Sequence, residues 1–257
     1  IQTKLECGQS LSRQALEEMG PKSVQVLTTT ADGRGKGSGF FVGKDGDLVV
    51  TNAHVVADNK KVQVTTASGE KFSTQIVDID DINDLAVLRV EGIKKDPSRS
   101  VTLGDESKLK NGDPMLAIGH PGGFEQAVVS DGSFIEEKPW IMHYQMDSTD
   151  WLIKSLAHFN VDHPTYAKDA TDNMFAPKLG MDTALWHGSS GGAVVDEHNK
   201  VVGISDAIDE QNPYLSLAVP VSKLKELHDR KEPKYGFVYE GQSEFDRAPS
   251  ATILKDS

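Results

Sequence analysis

The sequence predicts an all-β fold of the barrel or sandwich class, because short apolar runs recur along the chain with polar turns between them. Residues 40–42 and 48–50 flank the turn sequence Lys-Asp-Gly-Asp at 44–47, which is a hairpin signal. The second half repeats the pattern where residues 193–195 and 201–204 flank another polar turn. With 257 residues, of which 37% are hydrophobic, the chain is long enough to bury a sizeable core.

A helical segment is predicted at the N-terminus, over residues 1–20. Residues 9–19 carry the helical pattern of apolar positions, and either Ser10 or Ser12 would cap the helix. Gly20 is expected to end it, because glycine is a weak helix former and the next residue is a proline.

The remaining elements outside the strands are a linker, a second helix and a tail. The polar stretch at 91–100 predicts a linker between two units. Ser222 is predicted to cap a short helix that carries Leu224 and Leu227 on its apolar side. The last residues, 231–257, are expected to form a tail that packs on the surface.

Charge and cysteine content exclude several classes of protein. The net charge of -12 argues against nucleic acid or an anionic membrane as the main partner, since phosphate binding needs clustered lysine and arginine. No apolar run approaches the roughly 18 residues of a membrane span. Cys7 is the only cysteine, so the chain cannot form an internal disulfide.

The most informative motif is the Gly-Ser-Ser-Gly-Gly turn at 188–192, which leads directly into the apolar run 193–195. A serine nucleophile needs a backbone that turns sharply and aims neighbouring N–H groups at a developing oxyanion, and glycines permit such a turn. A turn of this kind taken alone more often only connects two strands. Ser190 is therefore a candidate nucleophile that needs partners elsewhere in the chain.

Those partners are His54, which ends an apolar run, and Asp84, which comes directly before an alternating strand pattern. A catalytic serine needs an imidazole to accept its proton and a carboxylate to orient that imidazole. Singly, His54 could be a core histidine, Asp84 a strand-entry residue and Ser190 a turn residue. Their order, His then Asp then Ser, is that of the chymotrypsin-type triad.

With these motifs in place, the sequence resembles the trypsin-like serine proteases, and among them the HtrA/Deg branch. The resemblance extends over residues 21–227. The segments that carry it are residues 37–42 (GSGFFV), 50–56 (VTNAHVV), 84–90 (DLAVLRV), 117–123 (AIGHPGG), 188–192 (GSSGG), 201–205 (VVGIS) and 217–220 (LAVP).

The resemblance implies two six-stranded antiparallel β-barrels within a protease domain at 21–230. The first barrel would span about 21–96 and the second about 101–222. The site would then lie in the cleft between the barrels, with short helices at both ends of the domain. The resemblance also implies polypeptide substrates and an exported, periplasmic or organellar location, without a cofactor. About 30 residues follow the second helix, too few for the PDZ domain that many HtrA proteases carry.

Site residues follow from the same resemblance. His54, Asp84 and Ser190 would form the triad, and the N–H groups of Gly188 and Ser190 would form the oxyanion hole. The residues expected to bind the substrate are Ala184, Leu185, Ile204 and Ser205. This lining carries no acid, so we expect a preference for small or medium aliphatic side chains.

The segment at 140–181 makes the chain longer here than the usual spacing in the family that the sequence resembles. We therefore expect an insertion in the second barrel that flanks and gates the cleft. Residues 150–159 could form a helix within it. The insertion carries His158, Asp162 and His163, but their spacing fits no helical metal-ligand pair well, so we predict no metal site.

Two other functions remain open from the sequence. A pseudo-protease would keep the fold as a peptide-binding or scaffold module, but the presence of all three triad residues argues against it. Esterase activity alone is chemically accessible to any acyl-transfer site, and it can be separated from peptidase activity by comparing substrates. Oligomerisation cannot be inferred from the sequence.

Overall fold

The computed structural model describes residues 2–29, 33–56, 61–139, 176–208 and 215–229. In that part of the chain the strands form two closed six-stranded antiparallel barrels, which confirms the predicted all-β, trypsin-like fold class.

The first barrel has the strand order β1-β2-β3-β6-β5-β4. Its strands are β1 (Ser23–Thr29), β2 (Arg34–Val42), β3 (Leu48–Thr51), β4 (Lys61–Thr66), β5 (Lys71–Asp80) and β6 (Leu85–Val90). The predicted hairpin at 44–47 connects β2 to β3, in a register that pairs Val42 with Leu48.

The second barrel has the strand order β10-β11-β12-β9-β8-β7. Its strands are β7 (Pro114–Gly119), β8 (Val128–Pro139), β9 (Pro177–Met181), β10 (Ala193–Val195), β11 (Val201–Ile208) and β12 (Ser216–Pro220). β9 pairs with both β8 and β12 and so completes the barrel.

The position of β9 corrects the end of the predicted insertion. Residues 177–181 were expected to lie outside the barrel, but they form one of its strands. The physical reason is that a closed barrel needs a sixth strand, and the apolar residues Leu179 and Met181 fill its interior. Residues 140–175 of the predicted insertion, including the expected helix at 150–159 and the histidines, lie outside the described residues, as does the tail at 231–257.

The α-helices in the described part of the chain are α1 (Gln2–Met19), α2 (Ala53–Val56) and α3 (Val221–Asp229). α1 begins before Ser10 and Ser12, so the prediction that one of them caps it is wrong. Ser222 likewise lies inside α3, and its N–H donates to the Glu106 carboxylate at 3.1 Å. None of the described helices has the length and apolar character needed to cross a membrane.

Among the described residues, three apolar clusters hold the fold together, one inside each barrel and one between them. The cluster between the barrels joins Phe40 and Leu85 of the first barrel to Leu116 and Ile204 of the second. Leu224 and Leu227 of α3 pack into the same cluster, as the sequence predicted. Because burial of this apolar area fixes the two barrels against each other, residues from both can meet at defined distances across the cleft.

Candidate active site

The core of the site is a hydrogen-bonded pair from the first barrel, His54 on α2 and Asp84 in the turn between β5 and β6. His54 Nδ1 lies 2.7 Å from Asp84 Oδ2, and the His54 backbone N–H donates to Asp84 Oδ1 at 2.9 Å. Both carboxylate oxygens therefore contact the same residue. This two-point contact fixes the orientation of the imidazole, whose side chain is 29% exposed at the cleft.

Asp84 reaches this position through an unusual backbone conformation. Its φ of 57° lies in the left-handed region, which residues with a side chain rarely adopt. The buried Asn52 side chain donates to the Asp84 carbonyl at 3.0 Å and supports that conformation. Such strain persists only where the surroundings hold it, and it is concentrated at functional sites.

His54 and Asp84 shift each other's pKa. Burial disfavours the charged form of His54, but attraction to the Asp84 carboxylate and its hydrogen bond outweigh burial, so the pKa of His54 is raised. Burial alone would raise the pKa of Asp84, yet the charge and hydrogen bond of His54 hold it well below its usual range. Asp84 therefore stays ionised, and His54 is a stronger base than a free imidazole.

Ser190 comes from the second barrel and lies on the loop before β10. Its hydroxyl donates to the backbone carbonyl of Asp206 at 3.1 Å rather than to His54. The next residue, Gly191, has a φ of 86°, and a Cβ there would lie 2.3 Å from both the Ser38 carbonyl and Thr51 Oγ1. Only glycine allows the nucleophile loop to approach the first barrel this closely.

Two backbone hydrogen bonds, one from another loop and one within the turn, orient the peptide groups of the nucleophile loop. The Gly122 N–H donates to the His187 carbonyl at 2.7 Å, and the Gly192 N–H donates to the Ser189 carbonyl at 2.9 Å. In a trans peptide the N–H points away from the preceding carbonyl. The amides of Gly188 and Ser190 therefore point away from those two donors.

The first barrel also holds this loop directly. The Ser38 hydroxyl accepts a 2.7 Å hydrogen bond from the His120 N–H and donates to the Gly188 carbonyl at 2.6 Å. The Ser38 N–H donates to the Ser190 carbonyl at 2.8 Å.

Sequence reasoning missed two charged residues at the site, Asp206 and Lys178. Lys178 Nζ on β9 lies 2.6 Å from Asp206 Oδ2 on β11, and the lysine side chain is fully buried. When it is protonated, the Asp206 carboxyl donates a hydrogen bond to the ionised Asp84 carboxylate. Burial and the neighbouring Asp84 charge raise the pKa of Asp206 to about 6, although the Lys178 cation opposes that shift.

A small pocket lies beside the nucleophile loop, where the sequence predicted the substrate pocket. Leu185, Ser189 and Ser205 line it, and β7 and β8 supply most of the rest. Ala184 is exposed and Ile204 is fully buried between the barrels, and neither of them lines this pocket. None of the described residues around the pocket carries a charged side chain.

The acid–base groups of the site form a compact cluster. His54, Asp84 and Asp206 each offer one potential metal-ligand atom, and these three atoms lie within 4.8 Å of one another. A metal ion could bind at that spacing. These atoms already bind one another, and the Lys178 ammonium supplies the positive charge beside Asp206. We therefore treat the cluster as acid–base machinery rather than as a metal centre.

Comparison with known proteins defines the class. The model of the trypsin-like peptidase domain matches residues 37–204. This match covers more than half of the chain, so the chain belongs to the trypsin-like peptidase family.

Within that family, the chain is similar to proteins of the HtrA type. It is 29% identical over 198 residues to the mitochondrial serine protease HTRA2 of Bos taurus, and the alignment covers 77% of this chain and 36% of that protein. It is 28% identical over 224 residues to a probable periplasmic DegP-like serine endoprotease of Bartonella henselae, and the alignment covers 86% of this chain and 38% of that protein. The chain thus spans little more than a third of these two relatives.

Solved structures agree on the fold. The HtrA-type protease AlgW with a tripeptide aligns with a TM-score of 0.65 at 25% identity, over 84% of this chain and 61% of that one. A serine endoprotease from Yersinia pestis aligns with a TM-score of 0.62 at 22% identity, over 85% and 65% of the two chains.

Proposed function

We propose that this protein is a serine endopeptidase that cleaves polypeptides through an acyl-enzyme. Ser190 Oγ attacks the scissile carbonyl while His54 accepts its proton, and His54 then protonates the leaving amine. Asp84 orients the imidazole and stabilises its charged form. Water then hydrolyses the ester on Ser190 by the same proton transfers in reverse.

The observation that carries this proposal is the two-point contact between Asp84 and His54, opposite a serine on a glycine-rich turn. The contact leaves His54 Nε2 as the ring nitrogen that can serve Ser190. In this structure the Ser190 hydroxyl is held by the Asp206 carbonyl at 3.1 Å. Catalytic hydrogen bonds are often long before substrate binds, so we expect Ser190 to turn towards His54 in the substrate complex.

The amides of Gly188 and Ser190 would stabilise the oxyanion. Their orientation follows from the Gly122 and Gly192 hydrogen bonds to the carbonyls of the same two peptide groups. Loss of one such donor costs about 3–4 kcal/mol of transition-state stabilisation in comparable enzymes.

Substrates would be unfolded or exposed polypeptide segments, bound as an added strand beside the cleft. The small uncharged pocket lined by Leu185 and Ser205 supports cleavage after small or medium aliphatic side chains. The names of the relatives, one periplasmic and one mitochondrial, support an exported or organellar location.

Hydrolysis of a peptide library by the purified chain tests the proposal. We expect cleavage after residues such as Ala, Val or Leu, and its loss by orders of magnitude in both Ser190→Ala and His54→Ala. Both variants should keep the circular dichroism spectrum of the wild type. Peptide hydrolysis that persists in Ser190→Ala would overturn the triad. Ester hydrolysis without peptide hydrolysis would restrict the activity to esters, and absence of both would favour a binding module.

A further inference from the structure

Asp206 reaches the acid–base cluster because its strand is irregular. On β11, Ser205 pairs with Ala218 of β12, but Ala207 pairs with Leu217, so Asp206 has no partner in the ladder. An extra residue of this kind makes a β-bulge, which redirects a side chain and bends the strand. The bulge lets Asp206 hold the Ser190 hydroxyl with its carbonyl while its carboxyl contacts Asp84.

Lys178 holds that carboxyl from the other side. It lies on β9, and β12 separates β9 from β11 in the sheet. Its Nζ lies 2.6 Å from Asp206 Oδ2, and the pair is 0% and 10% exposed. Burying an ion pair is costly and gives weak support to stability, so its presence beside the cluster suggests a role in the chemistry.

Resting on the function proposed above, we propose that Asp206 is a second carboxylate of the catalytic cluster, held in place by Lys178. The charge that develops on His54 during proton transfer is then stabilised by two acids, Asp84 directly and Asp206 behind it. Asp206 acts through Asp84 and His54, so it is a positioning residue rather than a catalytic one.

The titratable groups facing Asp206 in the described part of the chain come from three elements. They are His54 from α2, Asp84 from the β5–β6 turn and Lys178 from β9. Asp206 raises the pKa of His54 and Lys178 lowers it, because the two carry opposite charges. Removing the Asp206 charge should therefore lower the pKa of His54, and removing the Lys178 charge should raise it.

Proton counting gives the expected pH profile. As the pH rises, Asp206 loses a proton at about pH 6 and His54 loses one above its ordinary value of 6.5. If the ionised Asp206 is the productive form, two protons must leave before the enzyme is fully active. The acid limb of kcat/KM should then be steeper than the slope of one that a single group gives.

Two single substitutions test the charges separately. Asp206→Asn keeps an N–H that can donate to Asp84 but removes the charge. It should move the acid limb to lower pH and return its slope to one. Lys178→Met should move the limb to higher pH, because Asp206 then ionises later and His54 loses a nearby cation. Lys138→Met is the matched control, because Lys138 on β8 pairs with Lys178 in the sheet. The acid limb of kcat/KM in this variant should stay at the wild-type pH.

A double substitution guards against loss of folding. Lys178→Met with Asp206→Leu replaces the ion pair by apolar groups of similar size, which buried sites commonly tolerate. We expect it to fold, to show a slope of one, and to lower the plateau kcat about ten- to a hundredfold. KM should change little, because the carboxyl faces Asp84 rather than the pocket. A wild-type plateau kcat in this folded double variant would overturn the proposal.

Titration of His54 by NMR separates this proposal from the proposed function. In a Ser190→Ala background, the His54 ring resonance is assigned by its loss in His54→Ala. Its midpoint should fall with Asp206→Asn and rise with Lys178→Met, whether or not the wild type cleaves peptides. Unchanged midpoints in both, or shifts in the same direction, would overturn the role of the pair. Absence of peptidase activity with opposite shifts would instead overturn only the proposed function.

Discussion

The Ser38 hydroxyl donates a 2.6 Å hydrogen bond to the Gly188 carbonyl, and so joins the first barrel to the loop that carries Ser190. The same hydroxyl accepts from the His120 N–H at 2.7 Å. One fully buried serine on β2 therefore fixes two loops of the second barrel relative to the first barrel. Assembly of the site depends on this contact between barrels.

Ser38→Ala should remove that tether. We expect a stability loss of about 1–3 kcal/mol, because the Gly188 carbonyl and the His120 N–H lose their partner. We also expect kcat to fall by about a hundredfold if the loop is displaced by as little as 1 Å. Urea denaturation and peptide kinetics measure the two effects. Ser107→Ala, at an exposed 3₁₀ turn, is the control that should change neither. A Ser38→Ala enzyme with wild-type kcat would show that the tether is not needed.

Gly191→Ala should be far more damaging than Gly69→Ala, although both glycines have a left-handed φ, of 86° and 84°. A Cβ at position 69 meets no atom within 4 Å, so only the conformational cost of about 1–2 kcal/mol applies. At position 191 the Cβ would also collide with the backbone of Ser38, which displaces the nucleophile loop. Melting temperature and kcat should therefore separate the two variants. Equal losses in both would contradict the close approach of the loop.

The pH dependence of the wild type follows from the raised pKa of His54. The imidazole must be neutral to accept the Ser190 proton, so kcat/KM should rise with pH through a midpoint above 6.5. Asp84→Asn should lower that midpoint, since the amide no longer stabilises the imidazolium, and should reduce kcat by about 10³–10⁴. Asp47→Asn, at a surface ion pair with Arg89, is the matched control. A midpoint at or below 6.5 in the wild type would contradict the coupling of His54 to Asp84.

Lys178→Met should destabilise the protein by about 3–5 kcal/mol at neutral pH, because it leaves the Asp206 charge buried without a cation. The loss should shrink in acid. A carboxyl whose pKa is raised in the folded state stabilises that state below its unfolded pKa of 3.8. This stability is lost as the pH rises through the folded pKa, which is about 6 with Lys178 present and higher without it. Denaturation at pH 4 and pH 7 compares the two conditions. An equal loss at both would exclude ionisation of Asp206 as the cause.

Local motifs made the fold class and the candidate triad predictable from the sequence. His54 closely follows a buried strand, Asp84 precedes one and Ser190 lies in a glycine-rich turn, and each pattern is contained within a few residues. The structure brings His54 and Asp84 into contact, with Ser190 across the cleft on the other barrel.

Other parts of the site depend on pairing between distant segments. Successive residues of a strand face opposite sides of the sheet, so Ser205 lines the pocket whereas its neighbour Ile204 packs between the barrels. The bulge that turns Asp206 towards Asp84 arises from the register of β11 with β12. Lys178 comes from a segment whose membership of the barrel is set by β8 and β12. No local pattern in the sequence encodes these relationships.

The most direct test of the proposed nucleophile is labelling with a serine-reactive fluorophosphonate, followed by mass spectrometry of the digested protein. The reagent forms a stable adduct only where a serine is activated by a base and its oxyanion is stabilised. We predict a single adduct on Ser190, absent in Ser190→Ala and strongly slowed in His54→Ala. An unlabelled wild-type protein, or an adduct on another serine, would contradict the assignment of this cleft as a serine protease active site.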